Sequence, residues 1–327
     1  MFRPLQLDKL YIESPIFAAP LAGVTDLPYR KILREIAPFA PLMTEMNSCH
    51  SLIQNAKAKR NSDDFSAEGL IGAQIFGADP AAMAEGARIL ESRGAKWIDV
   101  NMGCPVPKVA TRALAGANLM RDHKLAGEIV AAIRKAVKIP ISIKTRLGWD
   151  AGHLDSAELI KICADSGAGF ATVHGRTRAQ GYSGKADWDA IARIKESSPI
   201  PIIANGDIRT HDDIARVRDI TNCDGVMLAR VLLGNPYALS SRVELSPARH
   251  PREAGGPLCS SLSRSDTILR HLDYSLAYYG LPNGVYMFRK HLAWYSAGMP
   301  GGAEFRAKIF GLTDPGEMRQ SVAGFFS

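Results

Sequence analysis

Short apolar runs alternate with segments of helical spacing along the first two thirds of the chain. Such uninterrupted runs are typical of strands that are buried on both faces. Eight strands are predicted, at Pro15–Leu21, Ala40–Glu45, Leu70–Phe76, Trp97–Met102, Pro140–Lys144, Phe170–His174, Pro201–Ala204 and Gly225–Ala229. Helices are predicted between them, most clearly at Pro80–Ser92, Leu125–Val137, Asp155–Ser166 and Asp187–Glu196. This alternation predicts an α/β fold of the (β/α)8 TIM-barrel type. No G-x-G-x-x-G sequence follows a strand, which argues against a dinucleotide-binding doubly wound sheet.

Two of the helix starts carry capping signals. Asp79-Pro80 places a proline at the first helical position, where its missing N–H costs nothing. Asp155-Ser-Ala-Glu158 has the spacing of a capping box, in which two side chains satisfy two free backbone N–H groups. We therefore predict that both helix starts are fixed by their own side chains.

The composition changes after Tyr237. Residues 246–265, SPARHPREAGGPLCSSLSRS, are rich in proline, glycine and serine, which predicts a linker or a long loop. Helices are predicted beyond it at Asp266–Tyr279, Gly284–Ser296 and Glu304–Phe310, with a further one from Asp314. We expect a barrel domain at residues 1–245, followed at residues 246–327 by the linker and a small all-α domain.

The composition is that of a soluble globular protein, with 46% hydrophobic and 22% charged residues. No apolar run approaches the ~20 residues of a membrane span, and the N-terminus lacks a signal-peptide core. The five cysteines form no C-x-x-C pair, and the eight histidines show no H-x-H or H-E-x-x-H spacing. We expect a cytoplasmic protein with reduced thiols, no metal, no membrane partner and, by default, a monomeric state. The net charge of +7 weakly favours a polyanionic partner.

The stretch Asp99–Pro105, which reads DVNMGCP, ends the fourth predicted strand in a sharp turn. Cys104 stands between Gly103 and Pro105, and the amide of Asn101 lies three residues earlier. A strand end, a turn and a single reactive side chain are typical of a catalytic loop. The alternative is that Cys104 is a small buried hydrophobic residue in a turn.

In a TIM barrel the active residues lie at the carboxyl ends of the strands. The first strand ends in Ala19–Gly23, small residues against which a flat ligand can lie. The other ends contribute Gln74, Asn101 with Cys104, Lys144 with Arg146, His174 with Arg176 and Arg178, Asn205-Gly206-Asp207, and Ala229-Arg230. These strand ends therefore predict a polar, mostly cationic site.

Barrels commonly bind phosphate with the loops after strands seven and eight. Gly206 permits close approach of the backbone to a ligand, and Arg230 can clamp a phosphate. With Lys144 and Gln74 deeper in the site, the set suits flavin mononucleotide (FMN), whose reduced ring a lysine can stabilise electrostatically. The alternative for Lys144 is a Schiff-base lysine, with its pKa lowered by Arg146.

One predicted helix mixes cations and aromatic residues. Arg289-Lys290-His291 is followed by Trp294-Tyr295, a combination that suits contacts with phosphates and bases. We predict that Arg289 and Lys290 contact a nucleic acid. A charged, solvated helix face over a packed tryptophan remains the alternative.

Seven blocks together resemble the flavin-dependent tRNA-dihydrouridine synthases, and most closely the bacterial B-type subgroup. They are APLAGVTDLPYR (19–30), GAQIFG (72–77), DVNMGCPVPKV (99–109), KTRLGW (144–149), VHGRTR (173–178), ANGDI (204–208) and RKHLAWY (289–295). They occur in family order and span nearly the whole chain. Leu21 stands where the family often has Met, Ala229 where it often has Gly, and the loop after Val109 lacks a usual Asn.

The resemblance implies a set of roles. FMN is expected to be bound through Pro20, Leu21, Ala22, Gln74, Lys144, His174, Asn205, Gly206, Asp207, Ala229 and Arg230. Cys104 is expected to be the general acid, with Asn101, Arg176 and Arg178 near the uracil. The expected partners are tRNA as substrate and NADPH or NADH as reductant.

The implied reaction adds hydride from flavin N5 to C6 of a tRNA uridine and a proton from Cys104 to C5. Ordinary thiols titrate near pH 8.5 and are mostly protonated at neutral pH, which suits a proton donor. The uridine must leave the folded tRNA to reach the barrel. Two alternatives remain: a small-molecule FMN barrel of the dihydroorotate dehydrogenase or ene-reductase kind, and an RNA-binding protein without chemistry.

Overall fold

The structure, a computed structural model, describes residues 2–57, 64–106, 115–240 and 263–327. The strands are β1 (Leu5–Leu7), β2 (Leu10–Ile12), β3 (Ile16–Ala18), β4 (Leu42–Met43), β5 (Asn47–Ser48), β6 (Ile71–Phe76), β7 (Trp97–Asn101), β8 (Ile141–Arg146), β9 (Phe170–His174), β10 (Ile202–Asn205) and β11 (Gly225–Leu228). Most of the predicted linker, the predicted domain boundary at 245/246 and the altered loop up to residue 114 lie outside the described residues.

Eight parallel strands form the TIM barrel that the sequence predicts. The hydrogen-bonded order is β3-β11-β10-β9-β8-β7-β6-β4. The ring is completed where the backbone N–H of Ala18 on β3 donates to the carbonyl oxygen of Pro41, just before β4, at 3.0 Å. The short strand β5 extends the pairing of β4 with β6. All eight predicted strands are therefore confirmed, although β3 and β4 are shorter than expected.

Helices surround the barrel and follow it. The barrel helices are α1 (Leu27–Ile36), α2 (Cys49–Lys57), α3 (Pro80–Ser92), α4 (His123–Ala136), α5 (Ser156–Asp165), α6 (Trp188–Ser197) and α7 (His211–Thr221). The Asp79 carboxylate accepts from the N–H of Ala81 at 2.9 Å, which confirms the predicted cap of α3. The predicted capping box at Asp155 is wrong, because its side chain makes no capping hydrogen bond. Asp155 instead lies 3.7 Å from His123 at the start of α4.

A hairpin that the sequence pattern did not predict closes the amino-terminal end of the barrel. Strands β1 and β2 pair antiparallel, and their apolar residues join a cluster formed by Phe17, Trp97 and Phe170 inside the barrel. The ring centroids of Phe17 and Trp97 lie 6.1 Å apart in an edge-to-face arrangement. Gly72 makes room for this cluster, since a Cβ there would lie 2.0 Å from the Trp97 ring. Among the described residues, the amino-terminal end is therefore filled by side chains, and the cavity lies at the opposite end.

The carboxyl-terminal helices are α8 (Arg264–Tyr279), α9 (Asn283–Tyr295), α10 (Gly302–Gly311) and α11 (Pro315–Phe326), close to the predicted bounds. They enclose a separate apolar core that includes Phe288, Leu292 and Phe305. Helix α8 packs against α1 of the barrel, where Arg270 forms a 3.0 Å ion pair with Glu35. The helical domain is thus attached to the barrel beside the loop that follows β3.

Candidate active site

A cavity of about 550 Å³ opens at the carboxyl ends of the barrel strands, a volume in the range of small-molecule and cofactor sites. Its walls include most of the predicted site residues: Pro20, Leu21, Ala22, Gln74, Asn101, Cys104, Lys144, His174, Asn205, Gly206, Asp207, Ala229 and Arg230. Arg176, Arg178, Arg289 and Lys290 are not among the wall residues. The structure therefore brings the predicted cofactor and acid residues together and leaves the four other cations outside the cavity.

A chain of buried polar groups crosses the floor of this cavity. Asp99 on β7 accepts a hydrogen bond from Gln74 Nε2 at 2.7 Å, and Gln74 Oε1 accepts one from Asn101 Nδ2 at 2.8 Å. Parallel pairing of β6 with β7 places Gln74 beside Asp99. The carboxylate, which can only accept, fixes which end of the Gln74 amide donates. Asp99 therefore determines the orientation of both amides.

Asp99 was not among the predicted site residues. Its carboxylate is buried and also accepts from the Ser142 hydroxyl at 2.5 Å. Burial raises the pKa of Asp99 to about 6, although the hydrogen bonds from Gln74 and Ser142 and the nearby charge of Lys144 oppose the rise. The group is thus largely ionised at neutral pH, at a considerable desolvation cost.

Cys104 is half-buried at the cavity wall, and its loop is held by the strand end before it. Asn101 Oδ1 accepts from the backbone N–H of Cys104 at 2.9 Å and from that of Gly103 at 3.2 Å. The carbonyl oxygen of Cys104 accepts from the N–H of Ala117 at 3.1 Å. Asn101 therefore connects the polar chain on the cavity floor to the position of the thiol.

Arg146, at the end of β8, ties this loop to a second one. Its Nε donates to the carbonyl oxygen of Gly103 at 2.8 Å, and its Nη1 donates to the carbonyl oxygens of Thr177 at 3.1 Å and Gly181 at 2.8 Å. Burial lowers the pKa of Arg146 somewhat, but guanidinium groups stay charged in proteins. One side chain thus fixes the Cys104 loop against the loop that follows β9.

Lys144 lies one strand over from Asn101 and extends into the cavity. Its Nζ is 3.5 Å from Asn205 Oδ1, a long contact, while Asn205 Nδ2 donates to the carbonyl oxygen of Met227 at 2.7 Å. Burial, and next the charge of Arg146, lower the pKa of Lys144 to about 8, as the sequence suggested for the effect of Arg146. Lys144 is therefore a weakly partnered cation facing the ligand space.

His174 is held neutral in the cavity wall. Burial, together with Lys144, Arg146, Arg176 and Arg230, lowers the pKa of His174 to about 2. Arg176 Nη1 donates to His174 Nε2 at 3.2 Å, so that the ring proton lies on Nδ1. His174 is thus suited to hydrogen bonding with a ligand and unsuited to proton transfer near neutral pH.

Arg176 is buried and bonded within the wall of the barrel mouth, and its predicted place near the uracil stays a prediction. The residue is 1% exposed, and each of its three nitrogens is hydrogen-bonded. Besides His174, it donates to the carbonyl oxygens of Ser183 and Gly184 and forms a 2.7 Å ion pair with Asp207. The sequence placed Arg176 correctly at a strand end but did not reveal this ion pair.

The far end of the cavity carries an acid surrounded by arginines. Asp207 has a positive φ of 54°, and its Oδ1 lies 3.0 Å from Arg230 and 3.8 Å from Arg209. Burial would raise the pKa of Asp207, but the N–H of Ala186 and the charge of Arg176 hold it below its ordinary value. Arg209 and Arg230 keep exposed guanidinium groups at the cavity edge. This end is therefore suited to an anionic group.

Gly206 lies between these parts of the site. Its φ is +117°, and a Cβ there would lie 2.9 Å from both Ala186 and the His174 ring.

Tyr182, which the sequence analysis missed, also lines the cavity. Its ring centroid lies 5.6 Å from the guanidinium carbon of Arg146 and 5.7 Å from that of Arg230. A lone tyrosine in a glycine- and serine-rich loop was the available signal for it.

The remaining predicted cations have other neighbours. Arg178 stacks on Trp149, 4.5 Å from the ring centroid, and Arg121 lies 4.9 Å from the same ring. Arg289 lies 4.6 Å from the ring of Tyr286 and also donates to the carbonyl oxygen of Leu312. Lys290 is half-buried on the same helix. None of these contacts tests a role in binding tRNA.

Comparisons with known proteins identify the family of this chain. The family model described as "Dihydrouridine synthase (Dus)" matches residues 17–326. A "Probable tRNA-dihydrouridine synthase" of Rickettsia prowazekii is 36% identical over 98% of this chain and 97% of its own length. A "tRNA-dihydrouridine synthase B" of Xanthomonas axonopodis pv. citri is 37% identical over 93% of this chain and 90% of its own length.

Similar solved structures support the fold. Histamine dehydrogenase from Rhizobium sp. 4-9 covers 72% of this chain with a TM-score of 0.55 and 14% identity, and a 2-naphthoyl-CoA reductase does so with the same values. The chain spans about half the length of these two proteins, 46% and 50% respectively. Within the described ranges, no helix has the length and apolar character that crossing a membrane requires. The chain belongs to the dihydrouridine synthase (Dus) family.

Proposed function

We propose that this protein is an FMN-dependent tRNA-dihydrouridine synthase, which reduces the C5=C6 bond of uridines in the D-loop of tRNA. One observation carries the proposal: a thiol fixed by Asn101 and a weakly partnered lysine share one cavity, whose far end is cationic. A nucleobase that accepts hydride also needs a proton donor and a group that stabilises its negative charge, both within the same cavity. Cys104 and Lys144 provide both.

The donor set of the cavity fits FMN. Arg209 and Arg230 are placed to hold its phosphate, and the positive φ of Gly206 allows the backbone to approach a ligand closely. The cavity has apolar walls at Pro20, Leu21 and Met227. The amine of Lys144 has one long contact, with Asn205, and can pair with an anionic ligand. Bound FMN, once reduced by NADPH or NADH, supplies hydride to the uracil ring.

Cys104 donates a proton to C5 of the base. Asn101 holds its backbone N–H, and Arg146 holds the carbonyl oxygen of Gly103, so that the loop around the thiol is set before substrate binds. Lys144 stabilises negative charge within the cavity. His174, neutral near physiological pH, contributes a hydrogen bond and no proton transfer.

The substrate is tRNA, whose uridine must be extruded to reach the cavity, at a cost of a few kcal/mol. The net charge of +7, together with Arg178, Arg289 and Lys290, favours binding to the phosphate backbone. Binding is therefore expected to weaken strongly with salt. We place this reaction in the cytoplasm, with the enzyme acting as a monomer.

The test compares Cys104→Ala and Cys104→Ser with wild type for dihydrouridine formation in unmodified tRNA. We expect losses of about 10²–10⁴-fold in turnover with FMN content unchanged, because proton donation is removed while the flavin contacts remain. Cys163→Ala, at a buried position on α5 away from the cavity, is the matched control and should keep full activity.

Two outcomes would contradict the proposal. Turnover of Cys104→Ala within threefold of wild type, with flavin bound, would remove Cys104 as the acid. Reduction of free pyrimidines without any activity on tRNA would indicate a small-molecule flavin enzyme.

A further inference from the structure

Three potential metal ligands meet where the helical domain joins the barrel. A carboxylate oxygen of Asp26 and one ring nitrogen each of His271 and His291 all lie within 4.8 Å of one another. Asp26 follows β3 and caps α1, whereas the histidines lie on α8 and α9. Histidine spacing along the chain suggested no metal site, because these ligands come from three separate elements.

The two histidines are buried with nitrogens left over. His271 is 0% exposed and His291 is 4% exposed. Within the described ranges, the Nε2 atoms of both rings have no hydrogen-bond partner. Burial lowers the pKa of both imidazoles well below the ordinary value, so that each offers a neutral ring, which is the form that binds metals. Buried polar atoms are normally satisfied, and two orphans side by side indicate a missing shared partner.

The surrounding groups orient these ligands as the outer partners of metal sites do. The His271 Nδ1 lies 3.1 Å from the Tyr295 hydroxyl, which leaves Nε2 as the ligating atom. The Asp26 carboxylate accepts from the Tyr279 hydroxyl at 2.7 Å and from the backbone N–H of Tyr29 at 3.1 Å. The Tyr29 ring packs against both imidazoles, with centroids 5.3 and 5.4 Å away. Both ligand types are thus held in place within an aromatic shell.

We propose that Asp26, His271 and His291 bind one zinc ion that fastens the helical domain to the barrel. Two imidazoles and a carboxylate are common zinc ligands, and a water would complete the tetrahedron. Zinc–ligand bonds of about 2.0–2.2 Å place neighbouring ligand atoms about 3.3 Å apart. The three ligand atoms now lie within 4.8 Å of one another, so zinc binding would shorten these separations by at most about 1.5 Å. The site lies apart from the proposed flavin cavity and does not depend on that function.

The test begins with full-length wild-type protein, free of affinity tags, stripped with a chelator and titrated with zinc or cobalt. We expect one equivalent of zinc per chain, the visible absorption of tetrahedral cobalt, and an increase of several degrees in Tm with zinc. His271→Asn and His291→Asn should each weaken zinc binding by about 100-fold or more and abolish the increase in Tm. His153→Gln, at an exposed position, is the control and should bind like wild type.

The wild-type measurements decide the question even if the histidine variants do not fold. A wild-type chain that binds no zinc and shows no change in Tm would overturn the proposal. The proposal would also be overturned if both histidine variants still bound zinc. An experimental structure of the zinc-soaked protein with a water molecule between the two rings would overturn it as well.

Discussion

Replacing Asn101 with aspartate should place the amide of Gln74 between two carboxylates, that of Asp99 and that of the new side chain. In the native chain the two ends of the Gln74 amide have complementary partners, Asp99 and Asn101. In Asn101→Asp the backbone N–H groups of Gly103 and Cys104 keep their acceptor. Both N–H donors of Gln74 lie at the end of the amide that faces Asp99, whereas its carbonyl oxygen faces residue 101. One carboxylate must then face the carbonyl oxygen of Gln74 or take up a proton.

The structure sets the size of this effect. Hydrogen bonds of 2.7 and 2.8 Å and the width of one amide separate the two carboxylates by roughly 6.5 Å. Two unit charges at that distance repel by about 2.5 kcal/mol at an effective dielectric constant of 20. The mismatched hydrogen bond adds about 1–3 kcal/mol. At pH 8 the free energy of unfolding of Asn101→Asp should be about 3.5–5.5 kcal/mol below that of wild type.

The deficit should shrink in acid. The pKa of Asp99 is already raised to about 6 by burial, and a second carboxylate raises it further. A carboxyl whose pKa is raised in the folded state favours folding at low pH, and this stabilisation is lost as the pH rises through the folded-state pKa. Protonation of one carboxyl also restores a donor to Gln74 Oε1. The deficit at pH 5.5 should therefore be clearly smaller than at pH 8.

Urea unfolding of flavin-free protein between pH 5.5 and pH 8 measures this deficit. Asn101→Ala is the matched control, since it removes the amide without adding a charge. Its deficit relative to wild type should be similar at every pH. A deficit of Asn101→Asp that stays constant from pH 8 to pH 5.5 would refute the reasoning.

Two further predictions concern the packing and the charge of the barrel, and a glycine of α11 provides a control for the first. Gly72→Ala should lower the free energy of unfolding by about 3 kcal/mol or more, because the new Cβ would lie 2.0 Å from the Trp97 ring. The control is Gly324→Ala in α11, where a Cβ meets nothing within 4 Å, and this variant should be as stable as wild type or more stable. If urea unfolding showed the same loss of stability for Gly72→Ala and Gly324→Ala, the packing argument would be contradicted. Lys144→Met should stabilise the flavin-free protein at pH 7 by about 1–3 kcal/mol, since burial depresses the lysine pKa to about 8, yet it should weaken FMN binding. Urea unfolding and FMN titration measure the two effects, and unchanged FMN affinity would remove Lys144 from the cofactor site.

The barrel strands were predictable because burial on both faces leaves mainly apolar runs, as in Ile71–Phe76 and Gly225–Leu228. The hairpin Leu5–Ile12 was missed because its strands have three residues each and show no such run. The capping box at Asp155 was predicted from spacing alone, but its carboxylate lies near His123 from another helix. Local pattern therefore identified the elements, and contacts between elements decided what their polar ends do.

The candidate site likewise contains residues that the sequence predicted and contacts that it did not. Strand ends of a barrel meet in one place, so that reading only those positions was enough to find Cys104, Lys144 and Gln74. The role of Asp99 depends on its partner across the β6–β7 pair, and that of Arg176 on the ion pair with Asp207. Such partners lie tens of residues apart in the chain, and no spacing rule connects them.

The guanidinium of Arg146 links two loops at the mouth of the barrel. It holds the carbonyl oxygen of Gly103 on one side and those of Thr177 and Gly181 on the other. Neither loop can open without breaking charge-assisted hydrogen bonds to the same side chain. A displacement of either loop therefore costs hydrogen bonds that also hold the other, so the Cys104 loop and the loop that carries Tyr182 are energetically coupled through one side chain.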